Sequence, residues 1–247
     1  MIAGYFHQGS GLGNQLHRYV ATRVLAKDKG VPHGMVNPHL FKGDSFMSLD
    51  KGLDATNAKF AHLFNEKKVV ENGVDIRGYD PEINFVQEST LIDGEFQDAR
   101  YFEHRLDEVR EWLRVEPLKM GDTTCVIGFR GGEYTLFPDL FLPKEYWEEG
   151  IYKMRGLQSE MKFEVHTDDP ETAKKFFPDF PIIHDVGLNW RSVRYAKYLL
   201  LANSSFYILP ALLNQDVKKV IAPRHWARRN TGVWALPQNY YSCFSYI

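Results

Sequence analysis

Along the chain, short runs of consecutive apolar residues alternate with stretches in which apolar positions recur every three or four residues. Ile2 to Phe6 is the first apolar run and predicts a strand. A helix is predicted from about Asn14 to Lys29, with Leu16, Tyr19, Val20, Val24 and Leu25 on one face and Gly30 as its stop. From Val31 to Asn84 the periodicity is weak, and only a helix around Ala55 to Phe64 emerges. Leu91 to Phe96 reads as a strand. Asp98 then caps a helix to about Arg114, with Phe102, Leu106, Val109 and Leu113 at helical spacing.

Glu116-Pro117 through Asp122 brings proline, glycine and charge between two periodic segments, which predicts a boundary between domains 1–118 and 119–247. The second half restarts with a strand from Thr123 to Phe129 and a helix from Lys144 to Arg155. A strand at Lys162 to His166 follows, then a short helix from Pro170 to about Phe177. Ile182-Ile183, a helix from Ser192 to Leu201 and a strand from Val217 to Ala222 complete the pattern. Alternating strands and helices predict an α/β fold with mostly parallel sheets. Ligands of such sheets sit beyond the carboxyl ends of the strands, where the loops after Phe6, Phe129 and His166 would lie.

Composition narrows the function classes. With 44% hydrophobic and 25% charged residues in 247, the chain has the balance of a globular protein. A formal charge of -2 gives no electrostatic basis for nucleic-acid binding. Cys125 and Cys243 have no metal-type spacing and form no disulfide framework, which points to a reducing compartment. Cys125 lies in an apolar run and reads as a core residue. No signal peptide is evident, and the most apolar stretch, Tyr198 to Ile208, is interrupted by Asn203 and two serines. The expectation is a soluble cytoplasmic protein without a transmembrane segment. A lipid-linked acceptor would bring it to a membrane surface.

Four loops carry candidate chemistry. Gly9-Ser10-Gly11-Leu12-Gly13-Asn14 departs from the dinucleotide fingerprint because Asn14 replaces the third glycine. It offers either helix-terminal amides, with Asn14 and Gln15 as ligand side chains, or a tight turn with Asn14 as a cap. Arg130, beside Gly131 and Gly132, presents a planar fork of donors suited to phosphate oxygens; a surface arginine in a loop would look the same. Asp168 and Asp169 precede Pro170 and can accept bonds from a base or ribose, or cap a helix. No third ligand accompanies them for a metal. Asn203, Ser204, Ser205 and Phe206 supply hydroxyls and amides for phosphate, or a polar turn between a helix and a strand. The basic cluster Arg224, His225, Arg228 and Arg229 is most simply a solvated face.

Taken in order, these segments resemble the bacterial α-1,2-fucosyltransferases and their superfamily of α-1,6- and protein O-fucosyltransferases. Gly11 to Leu16 (GLGNQL) is similar to the family's G-G-L-G-N-Q-M, and Cys125 to Tyr134 (CVIGFRGGEY) to its V-x-V-H-x-R-x-G-D-Y. Glu164 to Ala173 (EVHTDDPETA) resembles its F-S-D-D and T-D-D-P segments, and Leu201 to Phe206 (LANSSF) its I-A-N-S-S-F. Val220 to Trp226 (VIAPRHW) and Leu236 to Tyr240 (LPQNY) resemble its closing stretches. The family's histidine before the arginine is Gly128 here, its second basic position is Gly131, its aspartate is Glu133, and its tryptophans after N-S-S-F are Tyr207, Ile208 and Leu209.

The resemblance implies a GT-B-like fold, two Rossmann-like domains facing a cleft, with acceptor loops in the first and the donor in the second. It implies an inverting transfer from a GDP-sugar, GDP-fucose, to a glycan hydroxyl, with no metal and no other cofactor. Arg130 would hold the β-phosphate, Ser204, Ser205 and Phe206 would line the diphosphate, and Asp168 or Asp169 would read guanine. Gly11, Gly13, Asn14 and Gln15 would form the first domain's side of the donor site, Asn14 reaching across the cleft. Glu133 is the nearest acidic group for base help, which a dissociative transition state needs little of. Three rivals compete: a non-catalytic nucleotide-sugar or glycan binder, motivated by Gly128, a transferase using a different GDP-sugar, and a nicotinamide-dependent oxidoreductase using the Gly9 to Gly13 turn.

Overall fold

The computed structural model describes residues 1–67, 69–71, 74–76, 78–225 and 241–247. The chain divides into two compact units, Met1–Val115 and Glu116–Ile247.

The first unit is built on a parallel sheet of β1 (Ile2–Tyr5), β2 (His33–Val36), β3 (Leu53–Asp54), β4 (His62–Asn65) and, after a separate antiparallel pair β5 (Val69–Glu71) and β6 (Val74–Ile76), β7 (Thr90–Asp93). Its order is β3-β2-β1-β7-β4, with β1 at the centre. Helix α1 (Leu12–Asp28) packs on β1 and buries all the predicted apolar positions. It also buries Gln15, His17, Arg18 and Thr22, so the helix is enclosed on more than one face. The helix expected around Ala55 to Phe64 is absent: β4 occupies its end as an edge strand. Leu63 is 62% exposed there, which explains why no apolar alternation marks the strand. The helix expected from Asp98 to Arg114 breaks into two 3₁₀ turns and α2 (Leu106–Trp112). Asp98 does cap, accepting from Arg100 N–H, but it closes only a short turn ending at Phe102.

The second unit contains β8 (Thr124–Phe129), α3 (Lys144–Leu157), β9 (Lys162–Thr167), α4 (Pro170–Phe176), β10 (Ile182–Ile183), α5 (Val186–Tyr195), β11 (Tyr198–Leu201), α6 (Ser205–Leu213), β12 (Lys219–Ala222) and β13 (Ser245–Tyr246). Among the described residues, its six strands are all parallel, in the order β10-β9-β8-β11-β12-β13. Every residue of β8 is buried, as a strand covered on both faces requires. Phe129 at its end packs against Trp147 (ring centroids 5.4 Å apart) and Phe177 (5.5 Å). Cys125 is buried in β8, and burial pushes its thiol well above the usual range, so it is a core residue.

The helix expected from Ser192 to Leu201 is divided otherwise. Its first part ends α5, which Asp185 starts by accepting from Leu188 N–H at 2.7 Å, and Tyr198–Leu201 is the buried strand β11. Four consecutive apolar residues fit a buried strand as well as a helical turn. The Asn203–Phe206 segment consequently leads from a strand into the first turn of α6, and does not follow a helix. Among the described residues, no helix is long and apolar enough to cross a membrane.

Candidate active site

In chain order, the strands of the second sheet run 3-2-1-4-5-6, so the winding reverses between β8 and β11. An open parallel sheet binds ligands beyond the carboxyl ends of its strands at such a reversal. Two predicted segments meet there. Residues 130–134 leave β8, residues 202–204 leave β11, and Ala202 N–H donates to Gly128 O at 2.8 Å. Tyr134 closes the contact by donating its hydroxyl to Asn203 O at 3.3 Å.

Arg130 stands at this edge, 26% exposed. Its Nη1 is bonded to Asp168, its Nη2 donates to Glu133 Oε1 at 3.0 Å, and its Cζ lies 5.1 Å from the Tyr134 ring centroid. Burial works against its charge, but Asp168, Tyr134 and Glu133 outweigh burial and hold its pKa above the ordinary arginine value. Glu133, 66% exposed, is therefore a partner of Arg130 on the outer side of the loop.

Helix α6 begins beside this loop. Ser204 is its N-cap, in extended conformation with no side-chain capping bond, and Ser205 and Phe206 form the first turn. A helix N-terminus carries about half a positive charge and outward-pointing amides. Arg130 and the start of α6 thus place two anion-attracting features at one sheet edge.

Asp168 and Asp169 follow β9 and face the same loop. Gly131 N–H donates to Asp168 Oδ1 and Gly132 N–H to Asp169 Oδ2, both at 3.0 Å. Asp169 also caps α4, accepting from Thr172 N–H at 3.1 Å. Burial pushes its pKa up, but the bonds from Thr172 and Gly132 outweigh this and lower it.

Tyr207 and Thr167 complete the bonding around these strand ends. The Tyr207 ring covers Gly128, where an added Cβ would sit 2.9 Å from it. Its hydroxyl donates to His166 O at 2.7 Å and lies 3.1 Å from Phe129 O, tying the ends of β9 and β8 to α6. Thr167 Oγ1 accepts from Asp169 N–H at 2.9 Å. Gly128 and Tyr207 both depart from the fucosyltransferase motifs that the chain resembles, and that paired departure is the signal the sequence offers.

In the first unit, the turn after β1 has Gly11 as the N-cap of α1, so Gly13 and Asn14 lie within the first helical turn and Asn14 is not the cap. Asn14 Oδ1 accepts from Gln97 Nε2 at 3.0 Å. Gln15 does not serve as expected of a ligand side chain. It is fully buried, donating to Leu40 O at 2.8 Å and accepting from Lys42 N–H at 3.0 Å, which fixes a neighbouring loop. Arg18 holds the turn from beneath, through Ser10 Oγ, Gly94 O and Glu95.

No protein-family model matches the chain, and no curated protein matches it. Among solved structures, the E. coli heptosyltransferase WaaC with ADP-2-deoxy-2-fluoro heptose is similar at TM-score 0.50 and 13% identity, over 100% of this chain and 93% of that one. The NodZ α-1,6-fucosyltransferase co-crystallised with GDP, an enzyme from Bradyrhizobium, is similar at 0.46 and 12%, over 97% and 99%. A glycosyl transferase of family 9 from Veillonella parvula is similar at 0.47 and 12%, over 100% and 85%. The fold is the GT-B-like one expected, two Rossmann-like α/β units in one chain.

Arg224, at the end of β12, is exposed and donates its N–H to Ile247 O at 2.8 Å. Arg228, Arg229, Trp226 and the Leu236 to Tyr240 stretch lie outside the described residues. Among the described residues, no group of three His, Cys, Asp or Glu side chains is placed to hold a metal ion.

Proposed function

We propose that the protein is a glycosyltransferase taking its sugar from a nucleoside diphosphate donor, with the diphosphate bound between Arg130 and the N-terminus of α6. The carrying observation is the convergence of Arg130, Ser204 and Ser205 at the strand reversal of a 3-2-1-4-5-6 parallel sheet. As the sugar leaves, negative charge grows on the diphosphate. A guanidinium and helix amides already in place favour that charge over the ground state. These positive groups supply leaving-group stabilisation without a metal.

The fucosyltransferase resemblance supports GDP-fucose as donor, a glycan hydroxyl as acceptor and inversion at the anomeric carbon. Ser204, Ser205 and Phe206 line the diphosphate. Glu133, which bonds Arg130, is placed to modulate that guanidinium, and this favours a supporting role over that of a base.

The test is GDP release from GDP-fucose with a panel of galactosides as acceptors. Wild type turns over, and Arg130→Ala lowers kcat by about 10²–10³-fold, the usual loss for one electrostatic donor. Equal turnover in the two proteins refutes the assignment.

A further inference from the structure

The residues that follow Arg130 are two glycines, and two carboxylates close over them. A Cβ at Gly131 would lie 2.6 Å from Asp169 Cβ, and one at Gly132 would lie 2.8 Å from Asp168 Oδ2. Gly132 also has φ +48, a left-handed conformation that favours glycine. The space these glycines leave is thus filled by the groups that bond their amides, Asp168 Oδ1 to Gly131 N–H and Asp169 Oδ2 to Gly132 N–H, both at 3.0 Å. Neither carboxylate is loose. The Asp169 carboxylate accepts from Thr172 N–H while its backbone N–H donates to Thr167 Oγ1, and the Asp168 carboxylate accepts from Arg130 itself.

We propose that Asp168 and Asp169 are positioning residues, a two-carboxylate clamp that fixes the Gly131-Gly132 backbone and aims Arg130 at an anionic ligand, in place of reading the donor's base. The proposal rests on the donor reading above for the identity of the ligand, and on these bonds alone for the clamp. Asp168 is the anion that Arg130 Nη1 holds. A phosphate oxygen arriving at Nη1 replaces Asp168 Oδ2 there, while Oδ1 keeps the Gly131 amide.

Two variants of one residue then act in opposite directions. Asp168→Asn keeps an acceptor for Gly131 N–H and removes the competing charge. Asp168→Ala removes both. A purely structural role would weaken binding in both variants and could not tighten it in the first.

The experiment pairs amide hydrogen exchange of the ligand-free full chain with calorimetric titration of GDP and of inorganic pyrophosphate, which has no base. In exchange, Gly131 opens about tenfold faster in Asp168→Ala but not in Asp168→Asn, and Gly132 about tenfold faster in Asp169→Ala. In titration, Asp168→Asn tightens both ligands by the same factor, about threefold, the scale of one partly exposed ion pair. Asp168→Ala weakens both. Unchanged exchange at both glycines overturns the clamp. A loss in Asp168→Asn confined to GDP, with pyrophosphate unaffected, overturns it in favour of base reading. If wild type binds neither GDP nor pyrophosphate, the donor reading fails, and the exchange experiment still decides the clamp.

Discussion

Each unit carries glycines at the end of its central strand, Gly9 and Gly11 after β1 and Gly128, Gly131 and Gly132 around the end of β8, but the space around them differs. A methyl group at Gly9 or Gly11 would meet nothing within 4 Å. At Gly128, Gly131 and Gly132 it would come within 3 Å of Tyr207, Asp169 and Asp168. The basic residues differ in the opposite sense. Arg18, beneath the first turn, is buried and consumed by Ser10, Gly94 and Glu95, whereas Arg130 stands at the sheet edge. Glycines packed against side chains serve the fold, so under the proposed function the second loop leaves its chemistry to Arg130 and the start of α6. Open glycines leave the backbone itself approachable, which is what the first turn can offer a ligand.

The largest effect expected from this contrast concerns the anchoring of the first turn. His17 is fully buried, its Nδ1 bonded to Gly13 O at 2.9 Å, and burial pulls its pKa down to about 4 from 6.5. The folded state disfavours the protonated ring, so the associated stability is complete above pH 6.5. It is lost as pH falls from 6.5 toward 4, by roughly 3 kcal/mol. Acid titration followed by circular dichroism should show this decline, and His17→Gln should flatten it; an unaltered slope would remove His17 from the account.

Next in size is the packing of the second loop. Gly128→Ala drives a Cβ into the Tyr207 ring and should cost about 1–3 kcal/mol, the range for an overpacked core. Adding Tyr207→Leu should recover part of that loss, since the clash then disappears. Strictly additive losses in denaturant melts would contradict the pairing.

The smallest stability effect belongs to Gly11→Ala, which should cost less than about 1 kcal/mol because the φ of -67 suits alanine and only the N-cap preference is lost. Its kinetics sharpen the comparison. A raised donor or acceptor KM at unchanged Tm marks backbone approach by a ligand, while unchanged KM marks a turn and nothing more.

Most of the architecture could be read from the chain wherever burial was two-sided or caps were explicit. β8, β9, α3 and α4 fall within a residue or two of their expected bounds, helped by the apolar Thr124–Phe129 run and by Pro170 after Asp169. β4 was illegible because an exposed edge strand carries no alternation, and β11 was absorbed into a helix because its four apolar residues have no period. The Asp185 cap was a usable signal for the start of α5. The loops of the candidate site could be read singly, and Arg130, Asp168, Asp169 and Ser204 come from the ends of strands β8, β9 and β11, which neighbour one another. What the chain could not reveal was the bonding among them. That Asp168 faces Gly131 and Arg130, or that Tyr207 fills the place over Gly128, depends on strand order, which local pattern does not carry. Gln15 was misjudged for the same reason: only the tertiary fold buries it.

The central claim is that the anion site lies at the ends of β8 and β11 and not at the glycine turn after β1. Amide hydrogen exchange of the full chain, with and without saturating GDP, tests it most directly. The account predicts slowed exchange at 130–134 and 204–206, greater than any change at 9–15. Protection confined to 9–15, with 130–134 and 204–206 unaltered, would contradict it.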